Sequence, residues 1–250
     1  MCCKLKSGVL SYMCWVVFFS IPQAWGQEAW INEARLFSPE INFPTQLKSR
    51  VAERQRIESI PARAVRLAEK AKYEKTLVAK RRFFSAKASL QAIGVLKTKF
   101  VADGADAKQA EELLKRVLKV LKEDAKQKNR SNELSVGFAF WLMSCERVLN
   151  GRQLDEKNYA ALIAGLDEVF EGYAQLDKVP SQRKQTSFEL MGVVGGVITG
   201  LDLESQKNKN SDSRAQAVKL AEESLVLFQL TPQNLGEAIG LLIWLGYQRT

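Results

Sequence analysis

Between Pro61 and Pro180 the chain contains no proline, and apolar side chains recur there every three to four residues, which is the spacing of a helix face. Residues 61–90 predict a first long helix, rich in Ala, Lys, Arg and Glu, with a thin apolar stripe of Ala64, Leu67, Ala71 and Val78. Residues 106–126 predict another, burying Leu113, Leu114, Val117, Leu118 and Leu121 on one side. A polar connector, 127–132, leads to a helix ending at Asn150-Gly151. Its apolar residues, among them Phe138, Phe140, Trp141 and Val148, surround the whole circumference, so it is expected at the centre of the fold. Asp155 is placed to cap the next helix, where Tyr159, Leu162, Leu166, Val169 and Phe170 keep the helical period. Pro180-Ser181 begins another, expected to reach about Thr199. Residues 203–213 read as a polar loop, Ser211 or Asp212 as a helix start, and Thr231-Pro232 as an N-cap with proline at the first helical position. Residues 27–60, punctuated by Pro39 and Pro44, read as irregular, with a short helix from Thr45. No segment alternates with period two over a strand length. The prediction is an all-α fold, an orthogonal or up-down bundle of about six to seven helices.

The N-terminus has a different pattern. Lys4 and Lys6 precede an uncharged apolar run over 9–21, followed by Pro22 and the small residues Ala24 and Gly26. This is the layout of a secretory signal peptide, cleaved between Gly26 and Gln27. The run is shorter than the roughly 20 residues that span a bilayer. Cys2, Cys3 and Cys14 would leave with the leader, so the mature chain keeps only Cys145 and closes no internal disulfide. On an apolar helix that thiol is expected to be buried and inert.

Composition narrows the chemistry. There is no histidine, which removes Ser-His and Cys-His nucleophile systems and nearly every familiar catalytic zinc site. No Gly-rich phosphate loop and no acidic calcium loop is present, so neither a cofactor nor a metal is expected. The net charge is +9, and its distribution matters more than its sum. Residues 48–99 hold fifteen Lys/Arg against four Glu, so one segment carries the basic excess. Residues 61–104 therefore read as a basic helical arm, preceding a bundle domain over 105–250. Arg63, Arg66 and Lys70 share a stripe, while Lys80, Arg81 and Arg82 precede Phe83-Phe84. Such a segment reads either as a solvated charged helix bridging or extending from the body or, through its pairing of cations and aromatics, as a contact for an anionic envelope surface. Export argues against nucleic acid as the partner.

Gly192, Gly196 and Gly200 line one helix face. Three aligned glycines call for close approach of another helix, within the chain or across a homo-oligomer seam. Carboxylates are the remaining catalytic currency. Glu204-Ser205 superficially resembles the Glu-Ser pair of lytic transglycosylases, but the Gly-Leu-Met-Gln element of that family is missing. Glu111-Glu112, Asp167-Glu168 and Glu222-Glu223 sit at helical positions and read as solvated faces. No catalytic residue is assigned.

One family resemblance covers residues 129–201. Its elements are the Asn-rich start Asn129-Arg-Ser-Asn-Glu-Leu134, then Phe138, Phe140, Trp141 and Gly151, then Lys184-Gln185-Thr186-Ser187-Phe188-Glu189. The stretch resembles an uncharacterised family of exported bacterial all-α domains with a Lys-Gln-x-x-Tyr/Phe-Glu motif. That resemblance implies an envelope or periplasmic location and no known activity. Read physically, Phe188 can pack inward while Lys184 and Glu189 flank it, and Gln185 and Glu189 share a face at i and i+4. Lys184, Gln185, Phe188 and Glu189 thus form a candidate anchoring network or binding cleft. The expected function is an exported binding or structural module; an oligomeric scaffold and a carboxylate-based cell-wall glycosidase are the alternatives.

Overall fold

A computed structural model describes residues 43–58, 80–86, 92–94, 96–97 and 106–249. The expected leader, its cleavage site, and residues 61–79 of the helix expected over 61–90, with Arg63, Arg66 and Lys70, lie outside the described residues, as does the side chain of Lys80; the described residues 80–86 are a 3-10 turn followed by extended chain, so the expected helix does not reach residue 90. The chain is an all-α helical bundle. Among the described residues the helices are α1 (Phe43–Glu58), α2 (Ala107–Gln127), α3 (Leu134–Asn150), α4 (Glu156–Gly172), α5 (Ser181–Asn208), α6 (Ser211–Val226) and α7 (Pro232–Arg249), with short 3-10 turns at Lys80–Arg82 and Ala174–Lys178. Among the described residues the extended pairing is a single antiparallel bridge, Phe83 to Glu133.

The helix with apolar residues on all sides takes the centre. α3 packs against α2, α4, α5, α6 and α7, and it carries Phe138 and Trp141, both about 1% exposed. Phe138 meets Phe170 and Phe228 edge-on, each at 5.1 Å between ring centroids. Trp141 donates its indole N–H to Ser224 Oγ at 2.8 Å, so the largest ring in the core leaves no polar atom unsatisfied.

Several helix ends follow from local chemistry. Asp155 accepts from Asn158 N at 2.7 Å and starts α4. Thr231 and Asn234 cap each other reciprocally at the start of α7. Gly151 ends α3 with φ 67°, a backbone that a side chain would strain. Gly165 and Gly246 let α4 and α7 meet backbone to backbone, since a Cβ at Gly165 would strike the Leu242 carbonyl and one at Gly246 the Ala161 carbonyl.

Two expectations are corrected. α5 does not stop near Thr199; it runs to Asn208, and the polar stretch over 203–208 is helix. Neither Gly nor Pro occurs from Leu201 to Asn208, so nothing breaks the backbone; Gln206, Lys207 and Asn208 are exposed, while Asp202 and Glu204 turn inward. The turn to α6 is short, with Lys209 left-handed at φ 52° and Asn210 capping α6 by accepting from Asp212 N and Ser213 N. Likewise, the short helix expected from Thr45 is longer: α1 has sixteen residues and starts at Phe43. Pro44 sits in its first turn, where the missing N–H has no helical partner to lose, and Phe43 and Leu47 are buried in the common core.

That core also takes in the described part of the expected arm. Phe84, Ala92, Ile93 and Leu96 are buried in one cluster with α2 to α7. α5 is long and apolar enough to cross a bilayer, yet 83% of its most apolar window is covered by the rest of the chain.

Candidate functional site

Three polar constellations stand out, two of them on α5. At its start the motif helix acts on residues 81–85 and on Ala92. Lys184 donates to the Arg81 carbonyl at 2.8 Å. Ser181 Oγ accepts from Ser85 N at 2.6 Å. The Phe188 ring lies 5.2 Å from that of Phe84. Glu189, fully buried, accepts from Ala92 N at 3.0 Å, from Gln185 Nε2 at 2.9 Å and from Lys122 Nζ at 3.5 Å. Burial lowers the Lys184 pKa, and nearby Arg81 adds to this while Asp177 opposes it. Lys184, Gln185, Phe188 and Glu189 are therefore together, as their spacing implies, and among them they contact Arg81, Phe84 and Ala92.

The second constellation is an arginine–carboxylate network centred on α4, and it overturns one expectation. Asp167 and Glu168 are buried, not solvated. Arg130 bridges Asp167 at 2.6 Å and also reaches Glu133. Arg50 and Arg54 each reach Glu168 at 2.9 Å, and Arg249 binds Glu171 at 2.8 Å. Burial raises the Glu168 pKa, but Arg54, Arg50 and Arg249 outweigh it and bring the carboxyl below its ordinary value. Burial also opposes the Arg130 charge, and Asp167 and Glu133 more than offset it.

Arg81 and Arg82, expected to contact an anionic surface, belong to this network. Arg81 pairs with Asp177 at 3.0 Å and donates to the Glu171 carbonyl at 2.5 Å. Arg82 pairs with Glu133 at 3.2 Å, Asp167 at 3.5 Å and Glu171, with its guanidinium also 4.8 Å from the Phe83 ring. Their charges are neutralised inside the chain, because α4 supplies the acids that the basic segment lacks. The signal was present in the sequence: Asp167, Glu168 and Glu171 lie within an otherwise apolar run, and the cations that could pay for their burial are concentrated over 48–99.

The third constellation lies at the other end of α5, and sequence reasoning missed it. The C-terminal ends of α3 and α5 and the start of α6 enclose an open cavity of about 550 Å³. Its floor is Asp202, 1% exposed. Arg147 Nε and Gln206 Nε2 donate to Asp202 Oδ2, each at 2.9 Å. Arg214 pairs with Oδ1 through Nη1 and donates Nη2 to the Val148 carbonyl at 2.6 Å. Lys209 stands exposed on the rim. The signal in the sequence was Asp202 itself, a lone acid at the edge of the apolar run 190–201.

The remaining candidates place as follows. The glycine face is occupied from within the chain: a Cβ at Gly192 would strike Leu121, and one at Gly196 would strike Val117, so α2 supplies the close approach within the chain that was one of the two readings of this face. Gly200 is half-buried. Cys145 is fully buried, and burial pushes its thiol up to about 12. Glu204 sits on α5, 8% exposed, with Oε2 buried and unbonded, and burial raises its pKa. Among the described residues no three His, Cys, Asp or Glu side chains group to hold a metal ion.

Residues 24–235 match a family of unknown function (DUF6683). No curated protein and no solved structure matches the chain.

Proposed function

We propose a role for this chain, which belongs to the DUF6683 family of unknown function: it is exported to the periplasm or cell envelope and serves there as a binding module. What carries this role is the contrast between body and opening. Glu133, Asp167 and Glu168 are buried, and each meets arginines that are themselves mostly covered by the packed body. Asp202 instead holds its two arginines, Arg147 and Arg214, at the wall of an open cavity. Arginines held in place at an opening are ready to receive a ligand, because the protein has already met the cost of ordering them. Export is supported by the charged and apolar leader, and the family match begins at residue 24, beside the expected cleavage site.

Two experiments test this role. Fractionation with N-terminal sequencing should find the protein outside the cytoplasm beginning at Gln27; an unprocessed cytoplasmic product removes the export. A photo-crosslinking residue at Gln153, on the cavity wall, should form adducts in intact cells that the same residue at exposed Lys119 does not. Equal labelling at both positions removes the binding role.

One observation favours a second reading. A buried carboxyl with a raised pKa and an unbonded oxygen, as at Glu204, is the form a general acid takes in a glycosidase. Release of muropeptides from peptidoglycan, abolished by Glu204→Gln, would establish that activity; no release leaves the binding role in place.

A further inference from the structure

We infer that the Asp202 cavity binds a small phosphate ester joined to a hydroxyl-rich body, of the sugar phosphate or glycerophosphate class. This names a ligand for the binding role above and rests on it. Three cations, Arg147, Lys209 and Arg214, line the cavity against one carboxylate, so an entering anion meets a surplus of positive charge. Asp202 is no competitor for the ligand. Both its oxygens already accept, from Arg147 and Gln206 on one side and Arg214 on the other, so it acts as a post that fixes two guanidinium planes.

Arg147 is held through Nε alone, and among the described residues its Nη1 and Nη2 donate to nothing. A guanidinium fixed by Nε presents a planar pair of donors that matches two oxygens of a phosphate. Lys209 adds a mobile point charge at the rim, where it has no ion pair among the described residues.

The rest of the lining decides what the phosphate is attached to. No apolar side chain lines the cavity; Gln153, Ser205 and Ser211 offer amides and hydroxyls instead. These groups suit a polyol and do nothing for an acyl chain. At about 550 Å³ the cavity falls in the range of small-ligand pockets and exceeds what a bare phosphate fills. The start of α6 adds little, because Asn210 already occupies the N–H groups of Asp212 and Ser213.

Isothermal titration of the full mature chain with glucose 6-phosphate, sn-glycerol 3-phosphate, glucose and inorganic phosphate tests the inference, with sedimentation on phosphatidylglycerol and phosphatidylcholine vesicles as the second arm. Lys209→Gln is the decisive variant, since Lys209 is exposed and its loss leaves the fold alone; Arg147→Gln is the companion, checked for folding by circular dichroism. A sugar phosphate that binds more tightly than glucose, and at least about tenfold more weakly to either variant, supports a soluble ligand. Binding to phosphatidylglycerol vesicles only, with the same dependence on Lys209, supports the same chemistry in a lipid headgroup. Equal affinity for glucose and glucose 6-phosphate, binding unmoved by Lys209→Gln, or no binding to any probe overturns the inference. A positive crosslink at Gln153 would then leave the binding role standing with a ligand of another class.

Discussion

α5 buries a carboxylate near each end, and the two ends differ. Glu189 is 0% exposed and Asp202 is 1% exposed, so both carry a similar desolvation burden. Glu189 meets it with a backbone N–H, a side-chain amide and one lysine, each directed at the carboxylate. Asp202 meets it with a side-chain amide and two arginines, and the arginine donors outnumber what is left of one carboxylate. At the first end the polar chemistry closes on itself and ties down the chain at Ala92. At the second, an excess of donors faces a cavity. The type of partner, more than the depth of burial, separates an anchor from a site.

The comparison can be broken most sharply at Glu189. Glu189→Ala leaves the Ala92 N–H without its acceptor in the core and removes the charge that Lys122 meets, and should cost about 3 kcal/mol in urea unfolding. A loss below about 0.5 kcal/mol, the size of an ordinary surface substitution, would mean that this end is not closed. Next comes Gly196→Leu, which forces α2 off the closed half of α5. Overpacking there should cost about 2 kcal/mol, with the chain monomeric before and after by light scattering. A dimer that this substitution dissociates without loss of stability would place the glycine face at an oligomer seam.

Asp202→Asn should cost less, about 1 kcal/mol, because Arg147 and Arg214 can turn toward water once the charge is gone. A cost equal to that of Glu189→Ala would erase the difference between the two ends.

Acid sharpens the closed side of the comparison through α4. Arg54, Arg50 and Arg249 bring the folded Glu168 pKa below its ordinary value of 4.5. A carboxyl depressed by folding contributes stability that is fully present above the unfolded value and disappears as pH falls through the folded one. Denaturation midpoints should therefore hold above about pH 4.5 and fall below it, and Glu168→Gln should flatten that fall. An unchanged acid limb would remove Glu168 from the account.

The smallest effect is expected at Glu204, two residues beyond Asp202. Burial raises its pKa, so its charged form is penalised above the folded pKa and relieved below it. Glu204→Gln should be neutral or stabilising by about 0.5 kcal/mol near pH 7. A clear destabilisation would mean that its carboxylate has a stabilising role.

Much of the scaffold was legible in the sequence because its signals are local. Asp155, Gly151 and Thr231-Pro232 mark helix ends through their own backbone chemistry, and the all-round apolar pattern of α3 announced its central place. The motif from Lys184 to Glu189 was legible as a set, since i and i+4 spacing brings its members to one face. What it holds was not, because Arg81, Phe84 and Ala92 lie about a hundred residues away along the chain. Asp167 and Glu168 were misread for the same reason: an acid on a helix looks solvated until the arginines of α1, the Lys80–Arg82 turn and α7 are seen to converge on it. The Asp202 cavity was hidden by composition. Ser205, Gln206 and Lys207 read as loop when counted, yet an unbroken backbone makes them the outer face of α5, and that helical geometry is what brings Asp202 between Arg147 and Arg214.

The division of α5 into a closed end and an open one is tested most directly by hydrogen–deuterium exchange with and without saturating glucose 6-phosphate. Slower exchange should appear in peptides spanning 203–214 and be absent from those spanning 184–197. No change anywhere, or protection centred on 184–197, would contradict the account.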